Sequence, residues 1–260
     1  MSRDRADQTP SSPGPDTTPR RRAFHGRRRG RKLRKGLQAL VSALLPRIGL
    51  GPLPGPGMFD PATLFAAASL EAVWLEIGFG GGEHLAWQAR GHPGVGLIGA
   101  EYFIDGIAKL LRRVDHEGLA NVRVYQGDAR DLLDALADES IARVFILFPD
   151  PWPKKRHHKR RLVAPETLAS LARVMKDGVE LRLASDDMEY VRWMLERLCQ
   201  HPDFAWCARR PGDWRARPDD WPETRYEAKA KKEGRACVYL RFRRRPRGAR
   251  IPGAGPGEKP

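Results

Sequence analysis

The densest concentration of chemistry in the chain is Phe148-Pro149-Asp150-Pro151-Trp152-Pro153, continued by Lys154-Lys155-Arg156-His157-His158-Lys159-Arg160-Arg161. Proline fixes φ, so this lead-in must form a rigid turn. Within it Asp150 offers a carboxylate, and Trp152 either a face on which a base stacks or a wedge that holds the turn. Six of the eight residues 154–161 are Lys or Arg, enough to hold phosphates; a solvated loop is the plain alternative, but it needs no Pro-Asp-Pro-Trp lead-in. A second chemical stretch is Glu76-Ile77-Gly78-Phe79-Gly80-Gly81-Gly82. Glycines let a backbone approach a nucleotide closely, and a following helix adds its N-terminal amides. The dinucleotide pattern Gly-x-Gly-x-x-Gly fits poorly, because Glu83 occupies its third glycine position. Further carboxylates stand at Glu101, Asp128 and Asp186, and Thr224-Arg225-Tyr226-Glu227 precedes Lys229, Lys231 and Lys232.

These residues fall at regular places in an alternating pattern. Short apolar runs at Val73–Ile77, Val95–Ala100, Val122–Tyr125, Val144–Phe148 and Val179–Leu183 predict strands. Helices are expected at Glu83–Arg90, Phe103–Val114, Ala129–Leu136, Pro165–Met175 and Met188–Leu198, and a last alternating strand at Cys237–Phe242. Strands alternating with helices specify an α/β doubly wound, mostly parallel sheet, whose ligands bind beyond the carboxyl ends of the strands. Glu101 then accepts hydrogen bonds from ribose hydroxyls or serves the start of the next helix, and Asp128 lies beside a ligand or caps Ala129–Leu136.

The formal charge of +15 points to a polyanionic partner. Its distribution is uneven: residues 1–35 carry +9 and 241–260 carry +6, so 36–240 are neutral in sum. Residues 1–35 are expected to be a disordered basic arm, which either binds nucleic acid or acts as a solubility tail; 36–245 form the folded domain, and 246–260 a second disordered tail. The run Leu37–Leu45 is too short for a membrane span, which takes about 20 residues, and reads as an amphipathic helix packed on the domain. Cys199, Cys207 and Cys237 have no disulfide or zinc spacing, and the seven histidines show no ligand spacing, so no metal is expected.

The Glu76-x-Gly78-x-Gly80-x-Gly82 turn resembles motif I of the class I S-adenosylmethionine methyltransferases. Together with FPDPWPKKRHHKRR, Ser185-Asp186 and Thr224–Glu227, it makes residues Gly57 to Phe242 resemble the bacterial tRNA (guanine-N7-)-methyltransferases. The resemblance implies a Rossmann-like fold and S-adenosyl-L-methionine bound by Glu76, Gly78, Gly80, Glu101, Asp128 and Asp150, with Asp150 also catalytic. It implies substrate contact by Lys154, Asp186, Thr224, Arg225, Tyr226 and Glu227, and RNA contact by Arg156, His157, His158, Lys159, Arg160 and Arg161. The expected reaction methylates N7 of a guanine in the variable loop of tRNA, in the cytoplasm, by a monomer. One of Asp150, Asp186 and Glu227 would read the guanine edge. The competing readings are a methyltransferase of another RNA base and a non-catalytic RNA-binding protein, and only the former needs an intact glycine turn.

Overall fold

The computed structural model describes residues 32–66 and 70–248. The expectations for residues 1–31 and 249–260 lie outside the described residues. The apolar runs become β1 (Ala72–Ile77), β2 (Val95–Glu101), β3 (Val122–Gln126), β4 (Ile141–Leu147) and β5 (Met175–Ser185), all parallel. Helices cover both faces of these strands, which is why they are apolar on both sides rather than alternating. β6 (Phe204–Trp206) and β7 (Val238–Arg244) complete a seven-stranded sheet of order β3-β2-β1-β4-β5-β7-β6, with β7 antiparallel to both neighbours. β7 is the expected final strand. β6 has only three residues, too few to show an alternation in sequence.

The expected amphipathic helix is α1 (Lys35–Ile48). One face of the sheet is covered by α2 (Glu83–Gly91) and α3 (Ile104–Glu117), which bury Leu85, Ile107, Leu110 and Leu111 against Leu97, Val124 and Phe145. The other carries α4 (Ala129–Ala135), α5 (Pro165–Val174) and α6 (Met188–Gln200), with Leu132, Leu171, Met194 and Leu198 packed on Leu75, Ile146 and Leu183. The connector from β6 to β7 holds the single turn α7 (Gly212–Arg215) and then α8 (Arg225–Lys232). Local signals explain these boundaries. Asp128 and Asp187 cap α4 and α6 by accepting the Arg130 and Tyr190 amides at 3.0 and 2.8 Å, Pro165 opens α5, and Gly118 ends α3 at φ 64°.

Helix α1 lies on α3 through Leu40, Val41, Leu44 and Leu45. Beyond it the Leu50 amide donates to the Val124 carbonyl at 2.8 Å, so the chain covers the open edge of β3. The folded domain also runs past the expected boundary at 245. Arg247 pairs with Asp177 and donates to the carbonyls of Arg173 and Met175, which ties residues 246–248 down. Among the described residues no helix is long and apolar enough to cross a membrane, and no cluster of three metal-ligating side chains occurs.

Candidate active site at the carboxyl edge of the sheet

The strand order reverses between β1 and β4, which pair directly with Ile77 opposite Ile146. Such a switch point leaves a crevice beyond the strand ends. The glycine turn follows β1, and Phe148–Pro153 follows β4, so the sheet brings the two chemical stretches together. Glu101, Asp128 and Asp186 stand at or just past the ends of β2, β3 and β5 on the same edge.

Glu101 is the organiser of the cofactor side. One oxygen accepts the Gly80 amide at 3.0 Å, and the other accepts the Tyr102 and Phe103 amides at 2.9 Å each. Burial pushes its carboxyl above the usual range against these amides, and Asp150 adds like-charge repulsion. Gly80 has φ 57°, where any side chain is strained, and a Cβ there would come within 2.9 Å of Tyr226 Cε2, so the turn lies directly beneath that ring. Thr224–Glu227 is thereby brought onto the glycine turn, 144 residues earlier in the chain by the numbering of Gly80 and Thr224.

Asp150 sits in a turn whose two shoulders are strained: Phe148 and Trp152 take φ 52° and 47°. A left-handed conformation in a non-glycine residue costs on the order of 1–3 kcal/mol, and such strain collects at functional sites. Asp150 is exposed at the rim, and desolvation by the protein around it pushes its carboxyl up. Trp152 is flanked by the His157 ring, edge-on at 5.8 Å, and by the Arg160 guanidinium at 5.0 Å. These contacts favour its role as a wedge over that of an open stacking platform. The basic stretch forms a 3-10 turn, Lys155–Arg160, in which Lys154, Lys155, Arg156 and Lys159 are exposed and His157, His158 and Arg160 partly so.

Arg161, expected to contact RNA, is instead turned inward in this structure. Its side chain is 0% exposed; Nε donates to the Pro151 carbonyl at 2.7 Å, the guanidinium forks onto Glu189, and it stacks against Tyr190 and Trp193 at 5.0 and 4.6 Å. A planar fork satisfies a carboxylate and a carbonyl at once, and this one clamps the turn that carries Asp150.

Three further expected residues are turned inward. Glu76 is buried beneath the turn with Oε2 2.8 Å from His84 Nδ1; His84 Nε2 lies 3.1 Å from Gln88 Nε2, which also donates to the Asp220 carbonyl at 3.0 Å. Gln88 Nε2 can only donate, so His84 Nε2 faces a donor while Nδ1 faces the Glu76 carboxylate, and the ring is held between the two. Thr224-x-x-Glu227 is a capping motif: the Thr224 hydroxyl accepts the Glu227 amide at 3.3 Å at the start of α8. Glu227 is buried and paired with Arg217 at 3.1 Å and Lys231 at 2.7 Å, so it does not stand free to read a base edge. That leaves Arg225 and Tyr226 as the outward members, the Arg225 guanidinium donating to the Tyr226 hydroxyl at 3.0 Å. Asp186 is half-buried and pairs with Arg235. Asp128 is held by Arg130 Nε at 3.0 Å besides capping α4.

Sequence reasoning missed His84, Gln88 and Trp221. A histidine beside a glycine turn carries no signal of its own, and Trp221 lies in a connector without periodicity, yet it is buried edge-on to His84 at 6.0 Å.

Comparison with known proteins agrees with this geometry. Residues 71–240 match a protein family described as putative methyltransferases. A tRNA (guanine-N(7)-)-methyltransferase of Rhodospirillum rubrum is 53% identical over 87% of this chain and 89% of its own length. One of the same name from Ruegeria pomeroyi is 49% identical over 88% and 98%. Among solved structures, the 16S rRNA methyltransferase KamB superposes with a TM-score of 0.51 at 15% identity, covering 75% of this chain and 100% of that one, which speaks to the fold alone. With so much of its length shared at such identity, the chain belongs to the tRNA (guanine-N(7)-)-methyltransferase family.

Proposed function

We propose that this enzyme transfers a methyl group from S-adenosyl-L-methionine to N7 of a guanine in the variable loop of tRNA, in the cytoplasm, with Asp150 at the reacting centre. The residues present fit the cofactor. A Cβ built on Gly78, at φ 74°, would meet nothing within 4 Å, so the face of the turn is open, and Glu101 and Asp128 stand at the neighbouring strand ends. When bound, S-adenosylmethionine supplies a methyl on a cationic sulfur, which a nitrogen lone pair displaces in line. Guanine N7 has such a lone pair and carries no proton, so the protein needs no general base.

What remains for the protein is placement and charge. Orientation alone is worth up to about 7–11 kcal/mol of barrier in favourable cases. Attack leaves the purine cationic, and a carboxylate fixed beside it stabilises that charge. The observation that carries the assignment is Asp150 on a strained, Arg161-clamped turn directly after β4, beside the glycine turn that follows its parallel neighbour β1. Arg225 and Tyr226, exposed over Gly80, support a substrate-facing role, with Thr224 and Glu227 holding their helix. Asp186 is half-buried and its partner Arg235 is exposed, whereas Glu227 is fully buried between Arg217 and Lys231, so Asp186 is the better candidate to read the guanine edge. Exposed Lys154, Lys155, Arg156 and Lys159 and partly exposed Arg160 suit phosphates.

The test is to incubate the protein with unmodified tRNA and methyl-labelled cofactor, digest the RNA and identify the labelled nucleoside. Label in 7-methylguanosine, lost in Asp150→Ala with cofactor binding measured in parallel, is expected. Label in another nucleoside would overturn the base assignment.

A further inference from the structure

The cations of the folded domain fall into two populations. Most inward arginines face a carboxylate: Arg182 faces Glu180 and Asp220, and Arg217 faces Glu227. A different group lines a groove between the start of α1 and the exposed side of α3. Its volume is about 600 Å³, and its cations are Lys32, Arg34, Lys109 and Arg112, above a floor that includes Leu37 and Leu40. None of the four has a carboxylate partner among the described residues. The acid in the groove is Asp105, in the first turn of α3, where the helix dipole favours a negative charge.

Position gives the groove its meaning. Asp105, in the groove's lining, follows Phe103 by two residues, and the Phe103 amide is held by Glu101, so the lining reaches the start of α3 beside the cofactor edge. It lies on the β2–β3 side, under the face covered by α2 and α3. The basic 154–160 stretch follows β4, and Val163 just beyond it is buried on the other face. The two cationic tracks therefore flank the site on opposite faces of the sheet. The preceding residues 20–31 contain seven arginines and no acid, so the sequence leading into the groove is cationic like the groove itself. A polyanion long enough to cross the carboxyl edge meets both tracks.

We propose that the α1–α3 groove is a second track for the tRNA sugar-phosphate backbone, with Lys109 and Arg112 as phosphate-contacting residues. This rests on tRNA being the substrate. Each phosphate contact contributes about 0.7–0.9 to the slope of log K against log salt. Losing two contacts should therefore shrink the ratio of Kd at 200 mM to Kd at 50 mM salt by about seven- to twelvefold.

The experiment measures binding of unmodified tRNA to the full chain across that salt range. It uses the wild-type protein, the double variant Lys109→Gln/Arg112→Gln, and Lys176→Gln as a control that removes an exposed charge at the amino end of β5. Expected is a flatter salt dependence in the double variant, an unchanged one in Lys176→Gln, and unchanged cofactor affinity, melting temperature and turnover at saturating tRNA. A double variant as tight and as salt-dependent as the wild type overturns the groove. If the flattening is matched by Lys176→Gln, the effect is one of net charge and the groove is overturned as well. If the wild type shows no salt-dependent tRNA binding at all, the substrate reading falls and takes the groove with it.

Discussion

Replacing Arg161 by Met tests whether a residue inside the basic stretch is a clamp rather than an RNA contact. Four interactions disappear together. The Nε hydrogen bond to the Pro151 carbonyl, at 2.7 Å, comes from a charged donor and is worth about 1.5–3 kcal/mol. Stacking on Tyr190 and Trp193 adds on the order of 0.5–1 kcal/mol per ring. The Glu189 pair contributes under about 1 kcal/mol, because that side chain is 51% exposed and screened by water. The expected loss is about 3 kcal/mol, or roughly 6–12 °C in Tm for a domain of this size. Arg161→Lys should recover little of it, because an ammonium cannot fork onto a carboxylate and a carbonyl together. Calorimetric unfolding gives the first number. Methylation below the lowered Tm gives the second, with kcat falling because the Asp150 turn is no longer held. The salt dependence of tRNA binding should stay as in the wild type. A variant that melts normally but shows a flatter salt dependence would refute the clamp and return Arg161 to the RNA surface.

Asp150→Asn should lose activity while gaining stability near neutral pH. Burial raises the folded-state carboxyl above its unfolded value, so the stabilisation it lends is complete below the unfolded pKa and lost as pH rises through the folded one. Melting the wild type and the variant side by side should show a gap at neutral pH that closes in acid, and an Asn variant that melts lower at neutral pH would contradict the burial argument. Gly80→Ala places a Cβ 2.9 Å from Tyr226 at φ 57°; with left-handed strain of about 1–2 kcal/mol, cofactor affinity measured by titration calorimetry should drop about tenfold, and an unchanged affinity would show that the ring yields freely. Trp221→Ala should cost about 3–5 kcal/mol, read from denaturant unfolding, since the indole is buried against His84 and Tyr239. Deleting residues 1–31 should weaken tRNA binding and flatten its salt dependence with saturated turnover spared; a large loss of that turnover would give the arm a role in the chemistry.

Much of the site was legible because parallel strands announce themselves twice, by an apolar run and by the glycine or acid at its carboxyl end. Glu101, Asp128 and Asp150 each come at or just after such a run, and the sheet sets them on one edge. Inward-facing charges were not legible. Arg161 sits in a run of cations that sequence can only read as surface, and nothing local reports Glu189, 28 residues on. Thr224-x-x-Glu227 carries two meanings at once, a helix cap and a substrate motif, and only burial separates them: Thr224 and Glu227 go in, Arg225 and Tyr226 out. The expected strand from Val179 begins instead at Met175, because β5 pairs with Ile141 early and then shifts register around a polar Lys176-Asp177-Gly178 stretch that no apolar pattern would mark.

The neutral sum over residues 36–240 now has a physical basis. It does not come from a lack of charge: within it arginines and lysines are turned onto carboxylates, Glu180 facing Arg182, Glu227 facing Arg217 and Lys231, and Glu189 facing Arg161. Such pairs cannot answer to a phosphate without exposing the carboxylate they leave behind. Affinity for RNA must therefore come from cations that face no carboxylate, and the 154–160 turn and the α1–α3 groove gather such cations, one set on each face of the sheet. A substrate drawn to both is held across the carboxyl edge, which is where Asp150 and the glycine turn meet. The same arrangement that makes the folded domain electrically quiet thus concentrates its attraction for RNA on the two flanks of the reacting centre.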